Sequence, residues 1–338
     1  MVETSPLGAL KILAPVPHVP ATYAPVLMAQ SLGYAAAEGL YLQVVAAGSP
    51  RESIEGCVAG IGVGFVNMVF NFLIRDRGQA FRSFFSVARK QNRSFAVPEA
   101  SPIRRLADLK GKVIGLHFPD LLDFANAALA GEGLDPARDV RFIELPGSPF
   151  DELRMVTAVR TGEVAAVWQL DLNAGLFASA GLPLRRLSAP AIDRLTPAAC
   201  LYARDDLIAQ RPAAYAALGR AVAKGTLFAL TNQEATVRLL WRDVPEARPR
   251  PGDEARVMRR DLAVLRDRLA LSGIEDAPDP RWGAITREEV ERWQDFMLET
   301  KAIKARRDSS DYFTAELVDH YNDFDAAAVI AQARGFHL

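Results

Sequence analysis

Cysteine and histidine are scarce here, two and four residues in a chain of 338. Cys57 and Cys200 allow one disulfide at most, and their spacing fits neither a zinc site nor a redox pair. His18, His117, His320 and His337 include no H-x-H or H-x-x-x-H spacing, so no metal site is expected. No apolar run reaches the roughly eighteen residues of a membrane-spanning helix. Forty basic residues against 41 acidic ones leave a net charge of −1, which gives no global attraction to nucleic acid. There is no G-x-S-x-G elbow, and neither cysteine has a base beside it in sequence, so nucleophilic catalysis has little support. The first residues, MVETSPLGALKILAPV, lack a basic segment leading into a long apolar core.

What is present is length and apolar content. Half the residues are hydrophobic, enough for two cores. Short β-like runs alternate with helical ones: 10–14 (LKILA), 42–46, 61–63 and 84–88 as strands, with helices at 23–32, 53–59 and 65–74. The polar, turn-rich stretch 97–112 reads as a crossover. Alternation then restarts, with strands at 112–116, 140–145, 165–168 and 184–187 around helices at 121–130, 150–160 and 172–180. After a strand-like ACLYA at 199–203 the chain is almost wholly helical. This is the grain of mostly parallel sheets covered by helices. The helix 256–268 (RVMRRDLAVLRDR) interleaves bases, acids and apolar residues at helical spacing, which predicts an amphipathic surface helix.

The glycine run GCVAGIGVGFVN, residues 56–67, invites comparison with a dinucleotide loop. Such a loop needs G-x-G-x-x-G and an acid about twenty residues later. Here Gly62 and Gly64 are followed by Asn67, and Gly60 and Gly62 by Phe65; the first acid is Asp76, in a polar turn. No Gly-Lys-Ser/Thr follows either. No cofactor is expected. The expectation is a strand turning into a helix at Gly64, with the amides of residues 64–67 exposed at the helix N-terminus and suited to an anionic or carbonyl-bearing ligand. His18 and His117 each follow an expected strand, where open α/β sheets place ligand-contacting loops. Each has a surface or capping role as its alternative. Trp168 ends another strand, as core packing or as a platform for a planar ligand. Arg89 and Lys90 follow a fourth, as partners of a ligand anion or as a solvated turn.

The order of segments resembles a known family. AQSLGYAAAEGLYLQVVAAG at 29–48 is similar to the Ala-x-x-x-Gly-Tyr-x-x-x-Glu-Gly-Leu opening of solute-binding proteins for ABC importers, in particular the nitrate, sulfonate and thiamine-precursor branch. The resemblance continues through GVGFVN, LADLKGKVIGL at 106–116, EGLDPARDVRFIEL at 132–145, MVTAVRTGEVAAVW at 155–168 and YFTAELVDHYNDFDAAAV at 312–329. It implies an α/β, type II periplasmic-binding-protein fold: two lobes joined by two crossovers, a ligand cleft closing on its solute, and a helical C-terminal extension. Lobe 1 is then 8–97 plus 190–338, and lobe 2 is 98–189. It also implies an ABC permease and its ATPase as partners, a monomer, and a periplasmic location after removal of a signal peptide. If the chain is complete as given, the location is cytoplasmic. Two departures bear on the solute and the chemistry. The turn where oxyanion-binding members often carry Gly-Ser/Thr reads LHFPDLLDF at 116–124, and the cysteine cluster of the fungal pyrimidine-synthase relatives is missing.

Within that fold the expected ligand contacts are His18, Tyr23, Gly64, Phe65, Asn67, Arg89, His117, Phe118, Asp120, Trp168 and Asp171. Trp168 and Phe118 enclose a planar portion, Arg89 and the 64–67 amides hold a polar or anionic end, and His18, His117 and Asp171 set the donor and acceptor pattern. The expected solute is heterocyclic or aromatic, such as a thiamine-pyrimidine precursor, or an organosulfonate or carboxylate. The competing expectation is an enzyme on the same two-lobe fold, acting on a small organic acid as in menaquinone-precursor synthesis.

Overall fold

The computed structural model describes residues 5–15, 20–116, 122–145 and 152–338. The chain divides into two compact units. Unit 1 comprises Met1–Lys90, Thr196–Asp253 and Leu269–Leu338, and unit 2 comprises Gln91–Leu195 and Glu254–Arg268. Unit 1 holds strands β1 (Ala9–Ala14), β2 (Tyr41–Ala46), β3 (Val63–Asn67) and β4 (Phe81–Ala88). Unit 2 holds β5 (Arg93–Pro98), β6 (Lys112–Leu116), β7 (Val140–Glu144), β8 (Ala166–Leu170) and β9 (Leu184–Arg186). β10 (Ala199–Arg204) then returns to unit 1.

The two sheets share one plan. Their orders are β2-β1-β3-β10-β4 and β7-β6-β8-β5-β9. In each, three parallel strands are followed by one antiparallel strand and then an outer one. The antiparallel member is in both cases the first strand made after the chain changes unit: β5 in sheet 2 and β10 in sheet 1. Parallel neighbours need helical crossovers, which accounts for the alternating grain of the sequence.

Apolar side chains cover both faces. In unit 2, Ala96 and Val167 lie under Met155, Val159 and Phe177, while Phe95 and Trp168, one residue away on each strand and so on the opposite face, pack with Phe124. In unit 1 the long helix Pro212–Thr231 is buried along most of its length. It is rich in alanine and glycine, which permits close approach. A Cβ on Gly225 would stand 2.6 Å from Pro25 O, and one on Gly219 would stand 2.2 Å from the Tyr321 ring. Tyr321 is fully buried and donates its hydroxyl to Phe84 O at 2.7 Å. It thereby ties the helix Val318–Asn322 to β4, and the buried phenol is satisfied.

Three features differ from the sequence expectation. β5 lies within a stretch that held no expected strand, and it begins before the polar crossover; its residues 94–97 are all buried. The units meet at 90/91 and 195/196, where 97/98 and 189/190 were expected, and residues 254–268 group with unit 2 although expected in lobe 1. The chain therefore changes unit four times rather than twice. The burial of that helix is one-sided, as its amphipathic sequence predicts: Val257, Asp261, Val264, Leu265 and Arg268 are buried, and Arg256, Arg259 and Arg266 are exposed. Among the described residues, no helix is long and apolar enough to cross a membrane.

Gly219→Ala tests the closeness of the helix seam. Alanine would gain about 1 kcal/mol of helix propensity, but the overlap with the Tyr321 ring is expected to reverse it, for a net loss of about 1–3 kcal/mol. Urea denaturation of the variant measures the sign.

Candidate functional site

Ligands of open α/β sheets bind beyond the carboxyl ends of the strands, so the two sheet edges are the places to look. At the edge of sheet 1, the 3₁₀ turn Pro20–Tyr23 leads into the helix Ala24–Ser31. It sets the Tyr23 ring edge-on to Phe65, with centroids 5.6 Å apart and planes at 82°. Asn67 closes β3, and its Oδ1 accepts from Val69 N at 3.1 Å. Tyr23, Phe65 and Asn67 are all buried. They form one polar-and-aromatic corner.

The glycines beside them serve packing. A Cβ on Gly62 would meet Lys11 O at 2.6 Å, so only glycine lets β1 pass. Residues 64–67 are strand, in antiparallel register with Tyr202 to Ala199 of β10. The helix starts at Val69, with Met68 as its cap. The expectation of bare helix-terminal amides at 64–67 is thus corrected. β10, whose Ala199 pairs with Asn67 and Tyr202 with Gly64, extends the strand past the point where local sequence suggested a helix.

Arg89 is also differently employed. Its Nη1 donates to Ala284 O at 2.7 Å and its Nη2 lies 3.5 Å from Glu289 Oε1, both groups being buried. The other oxygen of Glu289 accepts from Thr286 N at 2.9 Å, capping the helix Arg287–Glu299. Arg89 N bonds Leu271 O, and Lys90 Nζ is 2.8 Å from Asp276. Arg89 is therefore committed inside unit 1, while Lys90 makes an exposed ion pair, in keeping with a solvated turn. The role expected for Arg89 as the holder of a ligand anion is not what this geometry offers.

At the edge of sheet 2, Trp168 is 1% exposed and packs on Phe95 at 4.7 Å. It is a core residue here, and its indole N–H meets no acceptor among the described residues. Asp171 follows β8. Its amide donates to Asn92 O at 2.9 Å, its Oδ1 accepts from Ser94 Oγ, and its Oδ2 lies 3.3 Å from Arg186 Nε. Arg186 reaches Asp193 as well. Burial pushes the Asp171 carboxyl up, and Arg186 acts against that. His18, His117, Phe118 and Asp120 lie outside the described residues.

One residue of this edge has no signal in the sequence. Asp267, from the helix Glu254–Ala270, accepts from Gly175 N at 2.6 Å. Gly175 is required at that contact, because a Cβ would stand 2.7 Å from the Ala263 backbone. Burial, chiefly, pushes the Asp267 carboxyl up to about 6; the Gly175 amide opposes this and the charge of Asp171 adds to it. Ninety-two residues separate donor and acceptor, so no spacing rule finds the pair.

The thiols are remote from this chemistry. Cys57 donates to Tyr202 O at 3.3 Å and is raised to about 12 by burial; Cys200, fully buried, is raised too. Both are free. Among the described residues, no three metal-ligating side chains converge.

Two outcomes follow from these contacts. Arg89→Ala strips Glu289 of its buried partner and is expected to destabilise the fold by about 3–5 kcal/mol, seen as a lowered Tm without any ligand. For Asp267 the raised value means the folded chain favours the neutral acid. Its contribution is present below about 4 and lost as pH rises through about 6. Asp267→Asn is therefore expected to raise Tm at pH 8 and to leave it unchanged at pH 4.

Comparisons agree with the fold. The model of the family described as "NMT1/THI5 like" matches residues 21–236. No curated protein matches the sequence. A solved structure from Bordetella bronchiseptica RB50 is 21% identical, covers 93% of this chain and 97% of its own, and superposes with a TM-score of 0.67. The periplasmic aliphatic sulphonate binding protein SsuA from Escherichia coli is 16% identical over 90% and 91%, at 0.64. The desulfurization enzyme DSZB is 17% identical over 93% and 98%, at 0.60.

Proposed function

Because the chain belongs to the NMT1/THI5-like family, we propose that it is the solute-binding component of an ABC importer, capturing a small heterocyclic or aromatic solute. The observation that carries this reading is the corner of Tyr23, Phe65 and Asn67 at the carboxyl edge of sheet 1. It combines two aromatic faces with an amide at the place where open sheets receive ligands, and it falls within the residues matched by the family. The reading includes a periplasmic location, a permease and ATPase as partners, and a monomeric state. His18, His117, Phe118 and Asp120 remain proposed contacts. So does Trp168, as an indole donor in place of a stacking platform.

The likeness to DSZB supports a second reading, an enzyme on the same fold. The buried thiols weigh against a cysteine nucleophile, since a thiol raised to about 12 is not ionised near neutral pH. Solute capture is therefore preferred.

Thermal-shift screening against pyrimidines, sulfonates, aromatic carboxylates and nitrate tests the proposal. An aromatic or heterocyclic compound is expected to give the largest stabilisation, and Tyr23→Ala to weaken it about tenfold, which is about 1.4 kcal/mol. Phe65→Leu serves as the milder variant. Stabilisation by nitrate alone would overturn the organic-solute assignment, and turnover of the best compound would favour the enzyme.

A further inference from the structure

The outer edge of β4 is sealed by a segment from far along the chain, and the seal encloses a small cavity. Ser86 N donates to Gly283 O at 2.9 Å, and Arg89 N donates to Leu271 O at 2.8 Å. The space left beside these two pins is about 10 Å³, and its walls include Phe85, Ser86, Arg89, Thr226, Ser272 and Gly283. All of them belong to unit 1. The wall cannot close the gap by drawing nearer. A Cβ on Gly283 would already stand 2.4 Å from the Phe85 ring and 2.9 Å from that of Tyr321, and Gly283 is held at φ +74°.

Two residues of that wall carry a buried polar atom that nothing meets. Ser86 and Arg89 are each 5% exposed, and neither Ser86 Oγ nor Arg89 Nε makes a hydrogen bond among the described residues. Both residues are pinned at the same place. Arg89 Nη1 donates to Ala284 O, the carbonyl next to the one that receives Ser86 N. Nη1 and Nη2 thus have Ala284 and Glu289, and Nε–H is the guanidinium nitrogen left over. A buried donor left unmet is costly, more so on a charged group. The wall also offers two hydroxyls, Thr226 Oγ1 and Ser272 Oγ, which donate to Val222 O and Leu269 O and can still accept.

We propose that this cavity is a binding site for one structural water molecule, which accepts from Arg89 Nε–H and is hydrogen-bonded to Ser86 Oγ. Size selects the ligand: a water needs about 10–15 Å³ and a few polar partners, and this space leaves no room for a polyatomic group. Charge agrees with that choice. Arg89 lies 3.5 Å from Glu289, and Arg281, the other cation of the wall, is paired with Asp279 and Asp319. An anion finds no unbalanced cation there, and a metal ion is repelled by both guanidinium groups. A water supplies an acceptor and a donor together, which is what the two leftover atoms require. It completes the seal on a strand whose edge would otherwise be open. The site lies within unit 1 and does not depend on which solute the protein carries.

The test is a crystal structure of the full chain at a resolution that shows ordered water. One peak is expected in the cavity, about 2.7–3.2 Å from both Arg89 Nε and Ser86 Oγ. A cavity without a peak would overturn the proposal, and so would a rotamer that brings either atom onto a protein partner. Crystals soaked in bromide are expected to show no anomalous signal there; a bromide in the cavity would replace the water with an anion site. In solution, oxygen-17 relaxation dispersion counts long-lived internal waters. Ser86→Val, whose methyl groups fill the space and remove the hydroxyl, is expected to lower that count by one. An unchanged count in a variant that still melts cooperatively would sink the assignment. Should Ser86→Val fail to fold, the crystal structure and the bromide soak of the unaltered chain decide the question.

Discussion

The antiparallel seam formed by β10 holds unit 1 together. β10 lies between β3 and β4 and completes the backbone pairing of both, with Ala199 opposite Asn67 on one side and Ala88 on the other. Residues 199–203 are all buried. Without this strand the inner edges of β3 and β4 would carry unpaired polar groups inside the unit, each costing about 1–3 kcal/mol. The corner of Tyr23, Phe65 and Asn67 depends on the same seam. It is β10 that keeps residues 64–67 extended and so delivers Asn67 to the sheet edge.

Much of the fold was legible, because its signal is local. Period-two and helical runs revealed most of the strands, and glycine and proline marked their ends. The resemblance of ordered segments pointed to the two α/β units. What local sequence could not carry was pairing over long separation. β5 lay hidden because RSFAVP is short and flanked by polar turns, and its role is set by β8 and β9. The helix beginning at Phe65 was misjudged because β10 overrides local preference. At the sites the same division holds. Asn67 ends β3 and Asp171 follows β8, whereas Phe65 and Trp168 lie in the middle of those strands and Tyr23 lies in a 3₁₀ turn, where a helix start, a strand end and a helix were expected. Arg89 was legible as a position but not as a partner, since Glu289 is 200 residues away. Asp267 was not legible at all.

The charged groups illustrate how burial sorts function from structure. Arg89 and Glu289 satisfy one another and a helix cap, so their cost of desolvation is met within the fold. Asp171 is tied by serine, arginine and a backbone contact. Among the described residues, Asp267 has a single amide. Groups of the same formal charge therefore stand in different energetic positions, and the least compensated one is drawn from a helix distant in sequence from the sheet it serves.

That helix also bears on the order in which the protein can be built. Unit 2 contains Glu254–Arg268, yet its sheet is finished by Leu195. During synthesis from the N-terminus, the sheet is available before the segment that covers Gly175 has been made. In the interval the chain makes β10 and the long helix of unit 1. Neither unit is thus a contiguous product of translation: unit 1 waits for β10 and the C-terminal residues, and unit 2 waits for a helix encoded after most of unit 1. Each unit is completed by segments of its own that are made only after part of the other, so the two share one folding schedule although each has its own core.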